Sequence, residues 1–277
     1  MMTLDIKEQK YTMISNEEYH SRDELSASQI KKLLDNPYEF LHPKPMSGKN
    51  LDIGSALHKL VLERQDFDKE FAVAPDVNKR TKAGKAKLAE FEEANAGKTV
   101  VTQSDYDLCD NMARAVMDSP SSNILQGGVA EASFFSQIDG VPVRCRPDYY
   151  NEELGIVIDV KTTDDASPDA FQKAIANFGY YIQAPFYLDT LRAAGYKADT
   201  FLFVVVSKKE PHMVGFYQID PISMDFGRAE YKRAFEIYKN IDQYDVPYFK
   251  DMSNGEVVQT LTLPNWVYYK KDASMSA

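Results

Sequence analysis

The stretch that most constrains this chain lies in its middle, where two strand-like runs, 141–150 and 155–161, flank the short turn Asn151–Leu154. Side chains alternate between the two faces of a strand. In the first run Val141, Val143 and Cys145 share one face, and Arg144, Arg146 and Asp148 share the other. In the second, Ile156, Ile158 and Val160 share one face, and Val157, Asp159 and Lys161 the other. Asp159 and Lys161 therefore point the same way, and if the two runs are neighbours Asp148 joins them across the turn. Asp159 ends the apolar run Ile156-Val157-Ile158. A charge in that place is costly unless it is paired or holds a metal.

The remaining sequence supplies elements around this pair of strands. Residues 1–24 read as a polar leader. Leu25-Ser26-Ala27-Ser28 opens a helix that Ser26 or Ser28 can cap, with Ile30, Leu33 and Leu34 at helical spacing and Asn36-Pro37 as its end. After a loop at 41–50, residues 51–63 read as a second helix with Ile53, Leu57, Leu60 and Val61 as its stripe and His58 beside it. Further helices are expected over 85–95 and 104–118. Strands 130–138 and 141–150 meet at Asp139-Gly140, a tight-hairpin signal. The strand 155–161 follows, dense in β-branched residues. Then come a long helix over 169–194 ended by Gly195, strands over 200–207 and 212–219, and a helix over 222–242. This order implies an α/β fold with a mixed central sheet flanked by helices and an α-rich N-terminal part. The expected division is one domain over 25–263, helical over 25–125 with a core over 126–245, followed by a C-terminal tail over 264–277.

Composition narrows the partners. Acidic residues outnumber basic ones, 42 to 32, for a formal charge of −10. Such a chain is not coated in nucleic-acid-binding charge, so a nucleic-acid reading needs a local basic region. Lys79, Arg80, Lys82, Lys85 and Lys87 form one within nine residues that contain no acid. It reads either as a solvated helix start or as a DNA-contacting loop. The two cysteines, Cys109 and Cys145, cannot by themselves make a four-cysteine zinc or iron–sulfur site. No run approaches a membrane span of about 20 apolar residues. The charged N-terminus lacks the apolar run of a signal peptide, and the expectation is a cytoplasmic protein with no membrane attachment.

Two carboxylates and a lysine on one sheet face suit metal-assisted phosphodiester cleavage. Magnesium takes oxygen ligands, and a bound ion activates water and neutralises charge building on phosphate. An Asp-x-Lys triplet alone is more often a surface ion pair. Here, however, Arg146-Pro147-Asp148-Tyr149 followed by Ile158-Asp159-Val160-Lys161-Thr162-Thr163 resembles the PD-(D/E)xK nuclease motif, with Asp in the D/E slot. Gln183 and Tyr187, four apart and so on one helix face, are similar to the Q-x-x-x-Y pattern that follows this motif in RecE, lambda-exonuclease and RecB-type nucleases. The helix Gly54–Glu63, GSALHKLVLE, resembles the His-bearing helix of RecE-like exonucleases. Tyr19-His20-Ser21 and the segment LSASQIKKLL, 25–34, resemble the start of that domain. From about residue 15 to about 245 the chain thus resembles the RecE-like family, the nuclease domain of exodeoxyribonuclease VIII and its phage relatives.

The resemblance implies a PD-(D/E)xK restriction-endonuclease-like core. In it Asp148 and Asp159 bind Mg2+, with Mn2+ able to substitute, and the Val160 carbonyl supplies a further oxygen. Lys161 assists the attacking water, His58 lies at the metal as ligand or orienter, and Glu131 helps bind a second metal or its water. Gln183 and Tyr187 line the site. Taken alone, His58 reads as a helix-surface or core histidine, and Gln183 and Tyr187 as packing residues. Arg144 and Arg146 share the parity of Asp148 and either face phosphate or neutralise the acids. The implied activity is ATP-independent exonucleolytic degradation of linear double-stranded DNA, 5′ to 3′, leaving 3′ single strands. A RecT-like single-strand annealing partner and a homo-oligomeric ring are implied with it. No G-x-x-x-x-G-K-[ST] phosphate loop is present, in agreement with ATP independence. A structure-specific or restriction-type endonuclease and a non-catalytic DNA-binding module of the same fold are the alternatives. Relatives that carry a four-cysteine iron–sulfur cluster rank low on cysteine count.

Overall fold

The structure, a computed structural model, describes residues 12–43, 52–78, 80–251, 254–264 and 267–268. The N-terminal part is built from short, individually capped helices. Ser15 caps α1 (Asn16–Ser21), and Ser26 caps α2 (Ala27–Asp35) in a reciprocal box with Gln29. Asn36 ends α2 and Pro37 starts α3 (Pro37–Leu41), since proline lacks the N–H that a first-turn position does not need. Then follow α4 (Asp52–Leu62), α5 (Phe67–Glu70) and β1 (Phe71–Val73). Thr81 caps α6 (Lys82–Ala94), three residues before the expected start. β2 (Thr99–Val101) pairs parallel with β1, and α7 (Gln103–Met117) is capped by Thr102.

The two long strands expected over 130–138 and 141–150 are each broken. The first divides into β3 (Val129–Ala130) and β4 (Phe134–Ile138), the second into β5 (Val141–Cys145) and β6 (Tyr149–Asn151). The breaks have local causes. Glu131 takes a left-handed φ of 53°, which no strand residue holds. Pro147 has no N–H to continue a ladder. β4 and β5 then form a separate hairpin around Asp139 and Gly140, both at positive φ. Next come β7 (Ile156–Thr163), α8 (Pro168–Asn177), α9 (Tyr180–Ala193), β8 (Thr200–Ser207), β9 (Val214–Tyr217) and α10 (Pro221–Lys239). The single helix expected over 169–194 is two, because Gly179 turns the chain at φ 64°.

Among the described residues the central sheet has the order β3-β6-β7-β8-β9. β7 and β8 run parallel and pair along all eight residues, from Ile156↔Thr200 to Thr163↔Ser207, and the other neighbours are antiparallel. Both faces are covered. Ile158 and Val160 pack with Leu57 and Leu60 of α4 and Met112 and Val116 of α7. On the opposite face Val157, Phe203 and Val205 pack with Phe171 of α8 and Ala184, Leu188 and Leu191 of α9. Each fully buried side chain of this kind contributes roughly 1.5–3 kcal/mol. A third cluster joins α2, β5, α9 and α10 through Ile30, Val143, Phe186, Tyr231 and Phe235. There α10 approaches α9 so closely that a Cβ on Gly227 would lie 1.8 Å from the Tyr181 carbonyl oxygen. No helix among the described residues is long and apolar enough to cross a membrane.

Candidate active site

The site begins where the sheet stops pairing. The β6–β7 ladder runs from Asn151↔Ile156 to Tyr149↔Ile158 and ends there, while β7 remains paired to β8 as far as Thr163. Two residues further along the same register Pro147 would face Val160, and it has no N–H to offer. The Val160 peptide therefore lacks a strand partner on that edge, and a buried peptide group must find other partners. It has them in two candidate residues. Val160 N–H donates to Asp148 Oδ2 at 2.6 Å, and His58 Nε2–H donates to the Val160 carbonyl at 2.8 Å. The His58 ring nitrogen is also 3.5 Å from Asp148 Oδ2. His58 reaches this point because its helix neighbours Leu57, Leu60 and Val61 are buried against β7, which brings α4 alongside the unpaired edge.

Glu131 enters from the other break. Its left-handed backbone turns the chain out of β3 while its N–H donates to the Asp148 carbonyl at 3.1 Å. Its carboxylate joins those of His58 and Asp148 in a group whose ligand atoms all lie within 4.8 Å of one another. Burial, and then the nearby Asp148 charge, push the Glu131 carboxyl up to about 7. Asp148 is raised as well, by burial first, with His58 opposing and Asp159 reinforcing the shift. His58 and Glu131 line a cleft of about 420 Å3, with Ser55, Glu63 and Arg146.

Asp159 is 2% exposed and turns toward α9. Gln183 Nε2 donates to its Oδ1 at 2.6 Å. Its Oδ2 lies 2.6 Å from Lys161 Nζ as an ion pair, without the alignment of a hydrogen bond, and is buried with no hydrogen-bond partner. Burial alone would lower the Lys161 pKa, but Asp159 and Asp148 outweigh it and hold the ammonium well above its ordinary value. Lys161 Nζ also sits 4.9 Å from the centre of the Tyr180 ring. Tyr187, the last residue of the Q-x-x-x-Y pattern, is in ring contact with Phe201, and burial raises its hydroxyl pKa far above the ordinary range.

Lys31 is a residue that sequence reasoning missed. It belongs to α2, donates from Nζ to the Phe178 carbonyl at 3.0 Å, and lies 5.9 Å from the Tyr180 ring. Its pKa is lowered by burial and by the Lys161 charge, so the two ammonium groups share one neighbourhood. The only signal was the pair Lys31-Lys32 in LSASQIKKLL, which reads as a helix surface.

Other expectations need correction. The expected metal set is Asp148, Asp159, the Val160 carbonyl and His58. In the structure His58, Glu131 and Asp148 converge, Asp159 contacts Gln183 and Lys161, and the Val160 carbonyl accepts from His58. Arg144 is 2% exposed, and its guanidinium donates to the carbonyls of Arg22 and Glu24 and, at 3.3 Å, to Gln29 Oε1. It pins the N-terminal segment and does not face phosphate. Arg146 donates to Ser133 Oγ at 2.8 Å, Asn16 Oδ1 at 2.5 Å and the Ile14 carbonyl at 2.9 Å, with Tyr19 beneath it at 4.3 Å. Arg144 belongs to β5, which pairs with β4 apart from the central sheet, and Arg146 lies beyond the end of β5 at Cys145, so neither shares a strand with Asp148. Of the basic run, Lys79 lies outside the described residues, and Arg80, Lys82, Lys85 and Lys87 are exposed at and along the start of α6.

The donor set fits a hard divalent cation. Two carboxylates and an imidazole converge, and Asp159 Oδ2 is a buried anionic oxygen beside the Lys161 ammonium.

Comparison with known proteins agrees with the fold. The chain resembles a crystal structure named "Putative exonuclease" from Eubacterium rectale, with 13% identity, a TM-score of 0.57, and 93% of this chain and 98% of the other covered. A phage-related exonuclease from Haemophilus somnus 129PT aligns at 14% identity over 81% of this chain and 97% of its own, with a TM-score of 0.35. No curated protein matches the chain. A family model described as a PDDEXK-like domain of unknown function, DUF3799, matches residues 26–248. That span contains His58, Glu131, Asp148, Asp159, Lys161 and Gln183, and the chain belongs to this PDDEXK-like family.

Proposed function

We propose that this protein is a divalent-metal-dependent exodeoxyribonuclease acting on linear double-stranded DNA. The observation that carries the reading is the unpaired Val160 edge, around which Asp148, His58, Asp159 and Lys161 gather. The motif resemblance to RecE-like exonucleases and the name of the Eubacterium rectale fold neighbour support it. Glu131, Asp148 and the His58 ring nitrogen not bonded to Val160 would hold the cation, with Asp159 Oδ2 as a further oxygen. The cation supplies charge neutralisation at the phosphate and activation of water.

The remaining groups act as positioners and charge stabilisers. Lys161 is a fixed ammonium, so it does not serve as a general base; it stabilises the negative charge that develops on the scissile phosphate. Gln183 holds the Asp159 carboxylate in one rotamer, and His58 fixes the Val160 peptide. Glu131 lines the cleft beside Asp148, where it would hold the cation or a water bound to it. The exposed basic run at the start of α6 is the candidate DNA contact. Degradation from 5′ to 3′, Mg2+ with Mn2+ as substitute, a ring-shaped homo-oligomer and a RecT-like annealing partner complete the proposal.

The test compares end-labelled linear duplex with closed circular DNA, in Mg2+ without ATP, with EDTA and Lys161→Ala as controls. Loss of linear DNA alone, abolished by both controls, is expected, and the labelled end gives the direction. Cutting of circles would replace the exonuclease by an endonuclease. Folded protein that binds DNA and cleaves neither substrate in Mg2+ or Mn2+ would remove the enzymatic reading.

A further inference from the structure

Phe178 stands at the corner between α8 and α9, and its side chain is 60% exposed. Isolated surface aromatics are ordinary; this one is held in an unusual way. Its N–H donates to the Ala174 carbonyl at 2.9 Å, its carbonyl accepts from Lys31 Nζ at 3.0 Å, and Gly179 follows it at φ 64°. A Cβ at Gly179 would come within 2.8 Å of Lys31 Cδ, so the lysine stem packs directly on the turn. The backbone is thus fixed while the ring is left out.

The ring also continues a row that starts at the active site. Lys161 Nζ lies 4.9 Å from the Tyr180 ring, and Tyr180 lies 5.6 Å from the Phe178 ring. Beside this row, Tyr181 stacks at 5.5 Å on Phe226, which is itself 58% exposed. Two ammonium groups, Lys161 and Lys31, flank Tyr180. Cations for a phosphate next to an exposed aromatic face for a base make up the usual platform for a single nucleic-acid strand.

We propose that Phe178 stacks on a nucleobase next to the scissile phosphate and so registers the strand on Lys161. The inference rests on the nuclease reading above. Cleavage kinetics of the full chain would be measured for wild type, Phe178→Ala, Phe178→Leu and Phe178→Trp. Two short duplexes are used, one with natural ends and one with abasic nucleotides at the last two positions of both strands. On natural ends Phe178→Ala is expected to raise KM and lower kcat/KM about tenfold. Phe178→Leu is expected to fall with it, and Phe178→Trp to retain activity. On abasic ends the gap between wild type and Phe178→Ala should close. Equal activity of wild type and Phe178→Ala on natural ends would overturn the proposal. So would a loss of the same size on both duplexes, which is the mark of a structural effect. If wild type cleaves neither duplex, the nuclease reading itself fails.

Discussion

Replacing Glu131 by Gln should make the metal-free protein more stable at pH 8, although it removes a group of the candidate active site. The carboxyl is pushed from 4.5 up to about 7 by burial and by Asp148. A carboxyl raised on folding binds its proton more tightly in the folded state. Its effect on stability is therefore neutral below about pH 4.5, grows unfavourable as pH rises toward 7, and is constant above. A shift of this size corresponds to about 3 kcal/mol. In a domain of this length that is roughly 5–10 °C in Tm. In EDTA, thermal melts from about pH 4 to about pH 8 should show wild type losing that margin relative to Glu131→Gln, with the two nearly equal at the acid end. Adding Mg2+ at pH 8 should narrow the difference, because wild type gains about 2.7 kcal/mol at a hundredfold excess over Kd and the variant gains less. Parallel melting curves for the two proteins across the pH range in EDTA would refute the argument that burial and Asp148 hold this proton.

Other substitutions test the framework. Gln183→Leu strands Asp159 Oδ1 without its donor; about 1–3 kcal/mol of stability should be lost in denaturant titration, together with at least a tenfold fall in kcat. Gly227→Ala improves helix propensity by about 1 kcal/mol. It nevertheless places a methyl where the Tyr181 carbonyl stands, so a net loss of at least about 2 kcal/mol is expected. A stabilised variant would contradict that close approach. Arg144→Met leaves the Arg22 and Glu24 carbonyls unpaired and should cost about 1–3 kcal/mol for each carbonyl that stays buried. The salt dependence of DNA binding should stay unchanged, and a shallower slope would return Arg144 to the phosphate backbone.

What could be read from the sequence was whatever depended on local pattern. Strand β7 is visible in GIVIDVK because parallel central strands are apolar on both faces, and the isolated Asp159 in that run signals a charge with a purpose. The capped start of α2 was equally legible as Ser26 or Ser28, and Ser26 is the cap. What escaped depends on distant chain. Alternation across 141–150 assumed an unbroken strand, yet the chain leaves the β4–β5 hairpin after Cys145 and enters the central sheet at Tyr149. Arg144 therefore meets the segment at 22–29, which no periodicity connects to it. Glu131 sits in a conformation that tertiary contacts impose on a non-glycine residue. Gly179 inside an apolar helical pattern carried the only hint of the corner that divides α8 from α9. β1 and β2, three residues each, are too short for a pattern to show.

The Val160 peptide has one consequence for observing the molecule. Its amide proton points at Asp148 Oδ2 and its carbonyl at His58 Nε2, so one backbone unit touches two groups that a cation would recruit. The nitrogen and proton resonances of this single amide amount to a built-in gauge of site occupancy. Drawing Asp148 toward a cation lengthens the hydrogen bond that polarises the amide, and the resonance shifts in proportion to the filled fraction. Titrated with a divalent ion that does not support turnover, it would give the affinity of the site in a protein that cleaves nothing during the measurement.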